Sequence, residues 1–495
     1  MKGGAGMSGQ ATELDRLVER SLRIGADPAL VVHGGGNTST KLRERDHLGR
    51  KRHVMRVKGS GTDLRTIGHD GFPGLFLDEL LPLRERALMD DDSMVAYLAH
   101  CMTDPAARRP SIETLLHAFL PARHVDHTHA DAICALTNHP EGARSTAEAL
   151  GRDVALVPYL RPGFELSKRV AGYADARAVV LEHHGLVTWG DEHERSYGDT
   201  VELDRRARAY LDEQGPSRDP SPAPDLSGPD TARLLAALRG RLSARGRRKV
   251  LYVDPSQRTL ADRPDVELVA AGRGTPDHIL RIGVRSIVAR SAADVEAAVD
   301  AFERDYRGYF DRHRSRLPAG FAMLEPLPRV VLVPGLGAVS AGPDPATARV
   351  TAEIAHRSHL VTARAIDAFG RTAWLSEADV FDFDYWPMEL YKLTLAPPPP
   401  DLAALVVIAP ATLPVAIGEA LVARGAVLAS DRAAADLLGG ADALLVANGA
   451  SLAIERPGHQ AIVVDGGDPE GIGEAVAFAL AGRARLREGA HLALA

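Results

Sequence analysis

Two rhythms of apolar spacing alternate along the first two hundred positions. Leu14, Leu17, Val18 and Leu22 are apolar with Asp15, Arg16, Glu19 and Arg20 between them, and this spacing predicts an amphipathic helix over Leu14–Ile24. The same reading predicts helices over Asp91–Thr103, Ile112–Phe119, Phe164–Val170 and Ser196–Gln214, with another near Ser145–Leu150. Short apolar runs between them read as strands: Val54–Val57, the residues around His127, and Ala178–Leu181. Strands interleaved with helices predict an α/β fold.

Past Gln214 the composition changes. Gly215–Asp230 is rich in Pro, Ser, Gly and Asp and reads as a linker. A second α/β region then runs to about Leu395, with helices over Ala232–Leu242, Ala293–Tyr306 and Pro345–Phe369. Its expected strands are Val250–Val253, Val266–Ala270 and Val330–Val333. Pro397–Pro400 is a second linker, and the tail opens strand, turn, helix, strand over Leu405–Ile408, Val415–Arg424 and Ala426–Ser430. The expected domains are therefore 10–214, 231–395 and 401–495, in keeping with 495 residues being too many for one core.

Composition narrows the function classes. A net charge of −7 gives no electrostatic case for nucleic acid as a partner. The longest apolar segment, Leu402–Ala423, holds Pro410, Pro414 and Glu419 and does not read as a membrane span. Met1–Met7 lacks the apolar core of a signal peptide. Only Cys101 and Cys134 are present, which suits a reducing compartment. The expectation is a cytoplasmic protein acting on small molecules.

The chemistry concentrates in a few short stretches. In an extended strand residues i and i+2 share a face, so His127 and His129 project together. A third imidazole from His184, in Glu182-His183-His184-Gly185, would complete a three-nitrogen metal site with an open position. By itself a His-x-His pair on a strand signifies little; the neighbouring motifs give it weight. His33-Gly34-Gly35-Gly36-Asn37-Thr38-Ser39 and Lys58-Gly59-Ser60-Gly61 are two small, polar turns fit to cradle a phosphate. Ser111 reads as a helix N-cap and Glu113 as a first-turn carboxylate, whose ordinary role is to satisfy the helix dipole.

Five motifs in order, Gly35–Ser39, Lys58–Gly61, Pro110–Glu113, His127–His129 and His183–Gly185, resemble the class II aldolase/adducin family. From about residue 14 to 395 the chain is similar to its long subtype, the bifunctional rhamnulose-1-phosphate aldolase/short-chain dehydrogenase proteins. The resemblance implies a class II aldolase-type α/β/α sandwich domain, an α/β extension, and a truncated Rossmann-like C-terminal domain. It further implies that His127, His129 and His184 hold zinc or another divalent metal, with His183 either supporting those ligands from behind or structural. Glu113 would be the general base, and Gly36, Asn37, Ser60, Gly61 and Ser111 would bind the phosphate of dihydroxyacetone phosphate. A homotetramer with sites between subunits is the family expectation.

Two departures stand out. Ile112 replaces a serine that small aldolases of the family carry, so Lys58 or a group from the middle region would compensate. The family's proton-donating tyrosine has no counterpart between His139 and Val157, which leaves Tyr159, Glu141 and Glu148 as candidates. His278 and Arg281 are further candidates, for substrate contact or for tying the middle region to the first domain. The tail echoes a dehydrogenase but has no glycine in Ala409–Ala416 and no tyrosine or lysine after Lys392, so no functional NAD site is expected. The expected activity is zinc-dependent cleavage or formation of a ketose 1-phosphate similar to rhamnulose 1-phosphate, through an enediolate. The alternatives are an epimerase or dehydratase on the same site, or a non-catalytic adducin-like scaffold.

Overall fold

Seven strands carry the first part of the chain: β1 (Asn37–Arg45), β2 (Lys51–Val57), β3 (Gly74–Phe76), β4 (His124–Thr128), β5 (Val154–Val157), β6 (Ala178–Leu181) and β7 (Gly185–Gly190). They form one sheet in the order β3-β2-β1-β4-β7-β6-β5, antiparallel throughout except for the β5–β6 pair. The computed structural model describes residues 12–494 apart from 219–221, 244–247, 396–397, 410–411, 439–440, 449–450, 457–461, 466–468 and 482–492. The first eleven residues, part of the Gly215–Asp230 linker, Pro397, and Pro410 with Ala411 in the tail's first turn thus lie outside the described residues.

Helices cover both faces of this sheet, which is why β6 and much of β7 read as continuous apolar runs. Ala178, Val180 and Leu186 pack with Leu17, Ile133, Leu203 and Leu211 on one side. Val179, Leu181 and Val187 pack with Leu116, Leu166 and Val170 on the other. The result is the expected three-layer α/β/α arrangement. The helix Glu13–Gly25 opens with a capping box between Thr12 and Asp15 and buries Leu17 and Ile24.

The chain divides into two compact units. The first gathers Met1–Arg218, Arg273–Leu280 and Arg357–Leu395; the second gathers Asp219–Gly272, Arg281–His356 and Ala396–Ala495. The stretch between the two linkers therefore contributes to both. Within the second unit, a four-stranded sheet has the order Val250–Asp254, Gly337–Gly342, Val330–Val333, Ile287–Val288. In the tail, Val406–Ile408 lies between Val427–Ala429 and Ala443–Asn448, all parallel, with the helices Val415–Ala423 and Arg432–Leu437 as crossovers. That second-first-third order is how a doubly wound sheet begins. The sheet then continues antiparallel through Ser451–Glu455, Ile462–Asp465 and Ala493–Leu494, so the Rossmann-like character stops after three strands.

Most expected elements form within a few residues of their predicted bounds. Val266–Ala270 is a correction: it is the helix Val266–Ala271, with Val266, Val269 and Ala270 buried at helical spacing. The β-branched valines suggested a strand, but their separation follows a period of 3.6. The helix predicted over Asp91–Thr103 stops at His100. No helix among the described residues is long and apolar enough to cross a membrane.

Candidate metal centre and cleft

Strand register brings the separated motifs together. Asn37 of β1 sits opposite His127 of β4, and β4 pairs on its other side with β7, Thr128 opposite Leu186. The backbone of Lys58 donates to Thr38 O, Ser60 N to Arg109 O, and Ser111 N to Lys58 O. Two glycines allow the approach. A Cβ on Gly36 (φ +61°) would lie 2.7 Å from His127 O, and one on Gly185 only 2.0 Å from Thr128 O. The helix predicted from Ile112 begins at Thr114, and Ser111 does not cap it; its Oγ accepts from Glu113 N at 3.2 Å. Glu113 takes the cap position without a capping bond, leaving its carboxylate to face β4.

One ligand atom from each of the buried His127, His129 and His184 lies within 4.8 Å of the others. Nδ1 of His127 meets the Leu186 carbonyl at 3.0 Å; a carbonyl can only accept, so Nδ1 carries the proton and the Nε2 lone pair faces the cluster. Nε2 of His129 is 3.1 Å from that atom, too close for two lone pairs unless a proton or a cation lies between them. His129 Nδ1 is 3.4 Å from Asp277 Oδ2, the carboxylate–histidine arrangement that orients a metal-bound imidazole. Three buried nitrogens and an outer carboxylate fit a divalent cation of the zinc type.

Glu113 completes this face. Its Oε2 accepts from Asn37 Nδ2 at 2.7 Å and lies 3.5 Å from His127 Nε2. Oε1 is buried without a hydrogen-bond partner, 3.7 Å from His184 Nε2. Burial would raise its pKa, but the charges available on His127, His184 and His129 outweigh that and hold it at about 2. Behind it runs a buried relay. Asn37 Oδ1 accepts from His117 Nε2, and His117 Nδ1 in turn accepts from Ser39 Oγ at 2.8 Å. Burial foremost, then the neighbouring His127 charge, lowers His117 to about 3, so it is neutral.

All five residues expected at the phosphate, Gly36, Asn37, Ser60, Gly61 and Ser111, line one cleft with Lys58, Glu113, His129 and His184. Lys58 is buried, donates to Gly34 O at 2.7 Å, and is lowered to about 8, chiefly by burial and then by Lys392. The cleft also holds Asp277, Phe383, Glu389 and Lys392, which sequence reading did not assign. Lys392 Nζ is 2.7 Å from Glu389 Oε1 and 3.6 Å from Asp277 Oδ1.

Residues 16–211 match the model of the class II aldolase and adducin N-terminal domain, and residues 229–393 that of the aldolase class II second domain. The chain belongs to the class II aldolase/adducin family. It is 38% identical over 410 residues to an uncharacterised oxidoreductase, YuxG, of Bacillus subtilis (strain 168), covering 78% of this chain and 59% of that protein. The chain thus spans about three fifths of that relative's length. The solved N-terminal class II aldolase domain of a conserved protein from Thermoplasma acidophilum is 41% identical, covering 43% of this chain and 99% of that one, with a TM-score of 0.40. An L-fuculose-1-phosphate aldolase from Thermus thermophilus is 18% identical over 41% of this chain and 96% of its own, with a TM-score of 0.28. At such TM-scores the overlaps add nothing to the family match.

The remaining candidate residues fall outside the cleft. His183 (φ 56°) turns to Asn138, its Nδ1 2.6 Å from Oδ1. His278 is buried but does not line the cleft, and neither does Arg281. Glu141 pairs with Arg144 and Arg371, Glu148 accepts from the Tyr210 hydroxyl, and Tyr159 also lies off the lining. A second cluster, Glu13, His124 and His193, is already satisfied, with His193 between Arg20 and Glu13 and a further cation, Arg123, on Glu13.

Proposed function

We propose that this chain is a divalent-metal-dependent sugar-phosphate aldolase, joining a dihydroxyacetone phosphate enediolate to an aldehyde and cleaving the corresponding ketose 1-phosphate. Rhamnulose 1-phosphate is the first substrate to test. The observation that carries the reading is the Glu113 carboxylate, one oxygen held by Asn37 and the other open beside the histidine triad. Such a carboxylate is placed to remove a proton from a carbon bound there, a step that contributes about 10²–10⁴-fold.

His127, His129 and His184 would hold the metal, whose positive charge favours the negative charge that develops on the substrate oxygens when the proton leaves. The phosphate is bound by the turns at Gly36–Asn37 and Ser60–Gly61 together with Ser111. Buried Lys58 supplies charge where Ile112 supplies no hydroxyl. With all five charged groups ionised, the lining carries one net negative charge, and a dication reverses that sign in favour of an anionic ligand. Asn37 fixes the carboxylate, and His117 fixes Asn37.

The test is deuterium exchange. Zinc-loaded protein with dihydroxyacetone phosphate in D₂O, without aldehyde, should remove one C3 proton signal stereospecifically, and Glu113→Gln should abolish the loss. No exchange from protein that holds its zinc would sink the reading and turn attention to epimerase and dehydratase substrates.

A further inference from the structure

The cleft contains a second carboxylate with an open oxygen. Glu389 sits on the helix Pro387–Thr394 with Lys392 one turn on. It is 2% exposed; Oε1 is held by Lys392 at 2.7 Å, and Oε2 is buried with no hydrogen-bond partner. A buried polar atom left this way is destabilising, more so when charged, unless a ligand supplies the missing donor. Glu389 lines the same space as Glu113, His129 and His184. The cleft thus presents two half-satisfied carboxylates: Glu113 beside the triad, and Glu389 bonded to Lys392 instead.

We propose that Glu389 is the second proton-transfer residue of this site, serving the oxygen of the aldehyde half. The inference rests on the aldolase reading above. In cleavage, Oε2 takes the proton of the C4 hydroxyl, and the O–H electron pair becomes the new C=O bond. The C3–C4 bond breaks, and its electrons remain with the dihydroxyacetone phosphate half as the enediolate. Glu113 then takes a proton from solvent and delivers it to C3, and Glu389 releases the C4 hydroxyl proton to solvent, so both groups return to carboxylates. Condensation runs the same steps backwards, with Glu389 protonating the nascent alkoxide.

Three further observations favour this assignment. A donor is required and the stretch from His139 to Val157 has no tyrosine, while Tyr159 does not line the cleft. The groups acting on Glu389 are of both signs, Lys392 against Asp277 and Glu113, and burial outweighs them to raise its pKa, so a proton is easily held there. Two carboxylates of one site held in contrasting surroundings are the usual basis for dividing acid and base roles. The donor then comes from this chain's own middle region, on the helix that follows Phe383 into the cleft.

The experiment compares two partial reactions on full-length, zinc-loaded protein. C3 exchange of dihydroxyacetone phosphate needs Glu113 but no aldehyde; condensation with lactaldehyde or glycolaldehyde needs both carboxylates. Glu389→Gln should keep exchange within about threefold of wild type while condensation falls about 10²–10⁴-fold. Glu389→Asp should recover part of that loss, which a merely structural role would not produce. Equal loss of both reactions, or condensation that persists, overturns the proposal. Wild-type protein without exchange overturns the aldolase reading itself. If Glu389→Gln fails to fold by circular dichroism, Glu389→Asp carries the same comparison: slower condensation with exchange intact supports the role, and parallel losses refute it.

Discussion

Gly185→Ala isolates the packing that brings His184 to the other two histidines. An added Cβ would lie 2.0 Å from Thr128 O, 3.0 Å from Thr128 C and 3.2 Å from His129 Cα, and real Cβ contacts below 3.0 Å are essentially never seen. Every obstacle is backbone, so no rotamer change relieves the overlap. The β6–β7 turn and the end of β4 must part by about 1 Å, and both carry triad residues. Overpacking costs about 1–3 kcal/mol where side chains can give, and the rigid surroundings place this substitution at about 3 kcal/mol. For a unit of this size that is a fall in Tm of about 6–12 °C. Zinc affinity should fall at least as far as the about 10–100-fold that follows loss of an outer partner. The assay is thermal unfolding with and without zinc, with affinity from chelator competition. Gly198→Ala is the control: nothing lies within 4 Å of its added Cβ, and alanine inside the helix His193–Gln214 should stabilise by about 0.5–1 kcal/mol. A Gly185→Ala protein with wild-type Tm and wild-type zinc affinity would refute the argument.

Four other expectations can be checked with similar equipment. Arg20 and Asp126 are a buried pair, 2.8 Å apart, further tied to Ser39 O and Ser196 Oγ. Arg20→Met should cost about 3–5 kcal/mol and adding Asp126→Leu should recover most of it, whereas a single-variant loss under 1 kcal/mol in denaturant melts would count against the pairing. His117 has a folded pKa of about 3 against an ordinary 6.5, so the unfolded chain takes up the proton first as the pH falls. Its contribution is complete above pH 6.5 and is lost below, about 2 kcal/mol by pH 5. Wild type should therefore lose that much more than His117→Gln between pH 7.5 and 5, and equal losses would exclude it. Chelation should lower Tm and zinc restore it, about 2.7 kcal/mol at a hundredfold excess over Kd. Asp277→Asn should weaken zinc about 10–100-fold with the fold intact by circular dichroism, and unchanged affinity would remove Asp277 from the site.

Much of the first unit was legible because its signals are local. Leu14–Ile24 shows its period, Ala178–Leu181 its continuous burial, and the five motifs each combine a turn with a functional side chain. Their convergence depends on register, Asn37 opposite His127 and Thr128 opposite Leu186, which spacing along the chain does not encode. Asp277, Glu389 and Lys392 escaped for the opposite reason. Glu389 and Lys392 form an i,i+3 pair of the kind found on any solvated helix, and only tertiary packing buries it. Asp277 adjoins His278, the residue type that more readily marks a site in a sequence, although it is the aspartate that faces His129. Ser111 had the right residue type for a cap but stands two positions too early, because Glu113 is used elsewhere.

The cleft's linear layout also sets a timetable. The triad is encoded by residue 184, while Glu389 and Lys392 follow roughly 200 residues later. At about 5–20 residues per second, synthesis separates the two by about 10–40 s. A nascent chain paused in that interval carries the histidines and Glu113 but no cover from the helix Pro387–Thr394. Its histidines thus emerge from the ribosome well before the helix that lines the far side of the same cleft.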